Sequence, residues 1–105
     1  MKFYKKLYTG KSIKRPNKIK WKLRHGKLQP GIYVIALASG ADQLEIYHSA
    51  FLKQSYYKTN PPYIVGIAGG YEEAVNMVVE LVQTAVEQTG DPDLKKYLFS
   101  AMSKR

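Results

Sequence analysis

The 105-residue chain contains no cysteine, which excludes disulfides and thiolate metal sites and leaves packing as its source of stability. Histidine is almost as scarce. His25 and His48 are the only two, and the single Glu-x-x-His pair, Glu45 and His48, falls short of the three or four ligands that a metal centre needs. Long apolar runs are missing as well: Ile32 to Ala38 and Ile64 to Ala68 are far shorter than the roughly 20 residues that cross a bilayer. Lys5 and Lys6 break up the opening residues before the apolar core of a signal peptide can form. No membrane partner is expected, and a cysteine-free chain suits a cytoplasmic location. No nucleophile, base and orienting group recur in a catalytic pattern, so neither an enzyme nor a cofactor is expected.

Acidic residues are absent from the first 41 positions, and that absence exposes the main positive feature of the chain. Eleven of the 17 Lys and Arg residues lie within residues 1–27, giving that segment +11 and the remainder −2 of the formal +9. Such a field attracts polyanions. The residues assigned to that contact are Lys11, Lys14, Arg15, Lys18, Lys20, Lys22, Arg24 and Lys27, and the expected partner is nucleic acid or another polyanion, held by its phosphates without base readout. Tyr4, Tyr8 and Trp21 are interleaved with these cations, as on nucleic-acid surfaces. An amphipathic segment that only keeps its lysines in water has the same look.

The length fits a single domain, residues 1–105, with residues 1–16 read as a basic arm free to flex. Pro16 and Asn17 before Lys18–His25, and Gly26 after it, predict a short helix, although Ile19, Trp21 and Leu23 also keep the two-residue beat of a strand. Residues 32–38 are apolar on both alternating faces and rich in β-branched side chains, the pattern of an interior strand. Turn residues at Ser39–Asp42 join it to a strand with Leu44, Ile46 and His48 on one side and Gln43, Glu45 and Tyr47 on a wet side. Asp42 and Glu45 also match a capping box, so a helix is the rival there.

Ala50–Tyr57 reads as a turn or two of helix, ended by Asn60-Pro61-Pro62. Tyr63–Ala68 is the third strand. After Gly69-Gly70 comes a long amphipathic helix, with Tyr71, Ala74, Val75, Val78, Val82, Ala85 and Val86 expected toward the core. Gly90 ends it, and Asp91-Pro92 start a last helix as cap and first residue, with Leu94, Tyr97, Leu98, Ala101 and Met102 on one face. The fold class is α+β: a small mixed three-stranded sheet in the order 2-1-3 with helices packed on it.

Three motifs carry a functional and a plain reading. Gly10-Lys11-Ser12 matches the end of a phosphate-binding loop, but Lys5 stands where that motif needs glycine, and no buried strand is expected before it. The Gly66–Gly70 junction offers a helix N-terminus to an anion, yet Glu72 and Glu73 in the first turn satisfy the dipole and repel a phosphate. Tyr56, Tyr57 and Lys58, with Tyr63 beyond the prolines, suit base stacking or simple ring burial. His48 reads as a core or interface histidine.

Residues 42–50, Tyr56-Tyr57, residues 62–68 and Tyr71–Ala74 resemble a family of small bacterial proteins with no established activity, over roughly residues 15–98. The resemblance implies one small cytoplasmic domain and carries no site residues. Beside the polyanion-binding module stands a second class of function, a self-associating or protein-interaction module, since a three-stranded sheet leaves edges and a central strand to cover.

Overall fold

The computed structural model describes residues 2–27, 29–37 and 44–103, the last five by their backbone alone. In chain order it runs β1 (Lys2–Thr9), α1 (Pro16–Arg24), β2 (Tyr33–Leu37), β3 (Leu44–His48), a 3₁₀ turn (Ser49–Lys53), α2 (Ser55–Thr59), β4 (Tyr63–Ala68), α3 (Tyr71–Thr89) and α4 (Leu94–Ser103). The turn expected at Ser39–Asp42 and the facing of Ala101 and Met102 lie outside the described residues and side chains.

The sheet is mixed and has the order β1-β4-β2-β3, with β1 parallel to β4 and β2 antiparallel to both its neighbours. The three expected strands keep their mutual order, but the sheet has a fourth member and β4 shares the interior with β2. The addition corrects the reading of residues 1–16 as an arm. Period two sends Phe3 and Leu7 to one sheet face and Tyr4 and Tyr8 to the other, where they pack on the two separate apolar clusters. Tyr4 is buried and its hydroxyl donates to the Leu98 carbonyl at 3.0 Å. The lysines between these anchors remain exposed on the edge strand, where charge discourages pairing with another chain.

Both sheet faces are covered from within the chain. Ile35, Val65, Ala74, Leu81, Ala85, Leu94 and Leu98 form one cluster between the sheet and α3 with α4. Leu23, Val34, Ala36, Ile64 and Ile67 form the other, under α1 and Leu52. Val34, Ile35 and Ala36 are therefore buried on alternate sides, as the doubly apolar run requires. That internal cover removes one of the two reasons for expecting a second copy. Between Ile35–Gly66 and Ala36–Ile64 the β2–β4 register slips by one residue, a bulge at Val65.

Several details depart from the sequence reading. The core stripe of α3 is Ala74, Leu81 and Ala85, with Met77, Val78 and Val82 beside it, while Tyr71 and Val86 are exposed. The stripe centres on Leu81 and two alanines, so Val78 and Val82 pack at its margin and Val86 falls outside it. Asp42 lies outside the described residues, and Leu44–His48, where the rival helix would run, is strand β3, with Glu45 paired opposite Ala36. Tyr47, expected on the wet side, packs on the α1-side cluster and against Tyr57. The cap of α4 is Asp93, whose carboxylate accepts from Lys96 N at 3.1 Å, and Asp91 instead accepts from Asp93 N at 3.0 Å.

Candidate polyanion-binding face

On α1 the two-residue beat becomes four files of residues four apart, because the helix repeats every 3.6. Ile19 and Leu23 turn to the sheet. Lys20 and Arg24 lie over the Phe3 ring of β1, at 5.2 and 4.7 Å from its centroid. Trp21 and His25 stack at 4.2 Å opposite the core file, with His25 Nδ1 2.7 Å from the Trp21 carbonyl. Lys18 and Lys22 make the fourth file. Trp21, 52% exposed, thus stands in water between two cationic rows.

Pro16 opens α1 at a first-turn position, and Gly26, at φ 65°, closes it. The N–H groups of Gly26 and Lys27 return to the carbonyls of Leu23 and Lys22, so the negative end of the helix is capped internally. Buried Gln29 fixes α1 to its neighbour. Its side-chain amide donates to the Ile19 carbonyl at 3.3 Å, and its own carbonyl accepts from Ser49 Oγ at 3.1 Å.

The 49–59 segment lies beside α1 on the same sheet face. Leu52 enters the cluster beneath α1, Tyr57 stacks on Tyr47 at 5.5 Å, and Tyr56 meets Tyr57 edge-on at 5.1 Å. Burial, with Tyr57 and Glu45 nearby, pushes the Tyr47 hydroxyl far above its ordinary range. His48 is structural: its Nδ1 accepts from Ala50 N at 3.0 Å and its ring meets Tyr33 edge-on.

Between the end of α1 and this segment runs a groove of about 760 Å³. Arg24 and His25 line one wall, Lys53, Tyr57 and Lys58 the other, and Leu23, Leu52 and Pro61 complete it. No carboxylate is among the lining residues. The wider charge follows the sheet faces: α1, the 3₁₀ turn and α2 carry six Lys or Arg and no acid, whereas residues 71–103 carry six acids against Lys95 and Lys96. In space the bias belongs to the two helical layers, with two exceptions: Glu45, paired with Ala36, shares the α1-side face beside Tyr47 and Tyr57, and Lys11 lies among the acids of α3.

The structure does not gather all the residues assigned from sequence. Arg24 lines the groove and Lys18, Lys20 and Lys22 share its helix without lining it, while Lys14 and Arg15 sit exposed before the helix and Lys27 after it. Lys11 goes elsewhere, to a crevice shared with Glu72, Glu73 and Asn76. Sequence reasoning left out His25 and Lys53 as binding residues and named Lys58 with Tyr56 and Tyr57 as a separate base-stacking group, not as part of the α1 face.

The rival site lies where Gly10–Ser12 meets Gly69-Gly70. A strand does precede Gly10, though an edge strand and not the buried one the motif needs, and it runs parallel to β4, so both loops leave the same end of the sheet. Their anion seat is filled by the chain itself. Glu73 accepts from Gly69 N at 2.7 Å, Ser12 Oγ at 2.8 Å and Ser12 N at 3.1 Å. The Gly69 amide first, then the Ser12 donors, hold its carboxyl below the usual value. A methyl group on Gly10 would overlap this carboxylate, and one on Gly69 the Ser12 hydroxyl.

Among the described residues, no group of three or more His, Asp or Glu side chains could hold a metal ion, and no helix is long and apolar enough to cross a membrane. Comparison with known proteins finds no matching family model, curated protein or solved structure. The resemblance to small bacterial proteins therefore adds nothing to the functional reading, which rests on the face itself.

Proposed function

We propose that the protein is a non-enzymatic binding module that holds nucleic acid by its phosphates on the face built by α1 and the 49–59 segment. The observation that carries this reading is the charge of one helical layer: six cations and no acid on α1, the 3₁₀ turn and α2, with exposed Trp21 among them and Glu45 of β3 at the margin. Acidic residues on the opposite layer repel the same ligand and orient the encounter. Contacts from such cations to phosphates position a nucleic acid on this face without reading its sequence.

Fluorescence anisotropy with labelled oligonucleotides tests it. If about five cations meet phosphates of a duplex, log K falls with log salt at a slope of about −4.5. Charge reversal of Lys18 and Lys22 should weaken binding to every sequence alike, whereas reversal of Lys95 and Lys96 on the other layer should not. No binding at low salt, or equal losses from both pairs, would refute the assignment.

One observation favours a second reading, self-association. Val75, Val79, Val82 and Val86 recur at spacings of four, three and four along α3, and Val79 and Val86 are 48% and 44% exposed. Sedimentation at twice the monomer mass, abolished by Val79→Glu and Val86→Glu together, would support a pair of α3 helices; a monomer at high concentration would dismiss it.

A further inference from the structure

We propose that the groove between α1 and the 49–59 segment seats an unpaired base, so that the module prefers single-stranded nucleic acid to duplex. The inference rests on the polyanion reading above and deepens it. Phosphate attraction alone needs only a convex charged surface. Here the cations Arg24, Lys53 and Lys58 instead rim a concavity of about 760 Å³, within the size range of small-ligand pockets, whose lining mixes these polar groups with Leu23, Leu52, Pro61 and the Tyr57 ring.

Tyr57 supplies the stacking surface. Its ring is held by Tyr47 and Tyr56, so it is presented in one orientation before any ligand arrives. A second flat surface, the Trp21–His25 stack, stands on the outward side of α1, and His25 also lines the groove. Two aromatic platforms with cations between them match a strand whose bases alternate with phosphates, since every base has a face to stack and every linkage a charge. A duplex offers only its charges, because its bases are already stacked on one another inside it. Gln29 keeps α1 and the Ser49 turn in register behind the groove, so the concavity is part of the fold.

The test uses the full chain and four probes of equal length: oligo(dT), a strand of abasic sites, a duplex, and heparin as a base-free polyanion. Trp21 is the only tryptophan, so its fluorescence reports stacking directly. Oligo(dT) should quench Trp21 and bind at least 5-fold more tightly than the abasic strand or duplex at the same salt, the smallest effect of one base–aromatic contact. Trp21→Ala and Tyr57→Leu should each lower oligo(dT) affinity by roughly 5-fold or more and leave duplex binding unchanged. Lys18→Glu, outside the groove, should weaken oligo(dT) and duplex alike and keep their ratio. Should Tyr57→Leu disturb the fold, His25→Ala, at an exposed position that lines the groove, still decides by the same loss for oligo(dT) and not for duplex.

Duplex, heparin or the abasic strand binding as tightly as oligo(dT), without quenching, would overturn the inference while leaving the phosphate-binding face intact. Failure of every probe to bind would remove both.

Discussion

Replacing Glu73 by alanine removes the acceptor of three hydrogen bonds that join the 10–12 loop to the β4–α3 junction. Bonds to a charged acceptor contribute about 1.5 kcal/mol each when shielded, but this carboxylate is open to water and the freed donors rehydrate, so about 0.5 kcal/mol each is the better figure. Loss of a negative charge from the first turn of α3 adds about 0.5 kcal/mol. The sum is about 2 kcal/mol, or a midpoint lower by roughly 8 °C for a domain of this size. Because the folded carboxyl lies below its ordinary value of 4.5, its contribution is complete above that value and is lost as pH falls through the folded one. The difference between wild type and Glu73→Ala in urea or thermal unfolding should be full at neutral pH and shrink in acid. Gly10→Ala should cost a similar amount by evicting the carboxylate, and almost nothing more once Glu73 is alanine. Additive losses in that double-mutant cycle, or an unchanged midpoint for Glu73→Ala, would refute the seat as a stabilising contact.

On α3, Leu81→Ala should destabilise by about 2 to 4 kcal/mol, whereas Val86→Ala should stay within about 0.5 kcal/mol; chemical denaturation distinguishes a buried from an exposed position. Tyr4→Phe should cost about 1 kcal/mol, because the Leu98 carbonyl loses its donor in a buried setting. Tyr47, Tyr8 and Tyr4 have hydroxyls raised above 10.0 by burial, so stability is fully present below that pH and falls as pH rises beyond it; Tyr47→Phe should flatten the alkaline limb of an unfolding profile.

Where a segment's periodicity and its ends agreed, the sequence was enough to define the element. Gly69-Gly70 before and Gly90 after a 3.6-residue beat bracket α3 correctly, and the apolar run at 32–38 marks β2 as interior. The rotation of α3 was not readable, because the apolar arc from Ala74 through Val86 is wider than the strip the sheet can touch. β1 was hidden by composition: four lysines near Phe3, Tyr4, Leu7 and Tyr8 suggested an arm, although the alternation of those four anchors was present. Half of the candidate face was legible as a charge run on α1. In the other half Tyr56, Tyr57 and Lys58 stood out as a group, but that they and Lys53 line one groove with Arg24 was not legible, since only packing on a shared sheet face brings them together. The Ser12–Glu73 contact, 61 residues apart, has no local signature at all.

The placement of β1 sets an order of events during synthesis. Its partner β4 begins at Tyr63, paired with Lys2, and the Tyr4 hydroxyl finds its acceptor only at Leu98. At about 5 to 20 residues per second, the first strand waits roughly 3 to 12 s for its neighbour to be made. During that wait Phe3, Tyr4, Leu7 and Tyr8 are an unpaired β-forming stretch, and Lys2, Lys5, Lys6 and Lys11 serve as gatekeepers against premature pairing with other chains. The β2–β3 hairpin can close first and recruit β4, leaving β1 to complete the sheet last and Ser12 to latch onto Glu73 behind it.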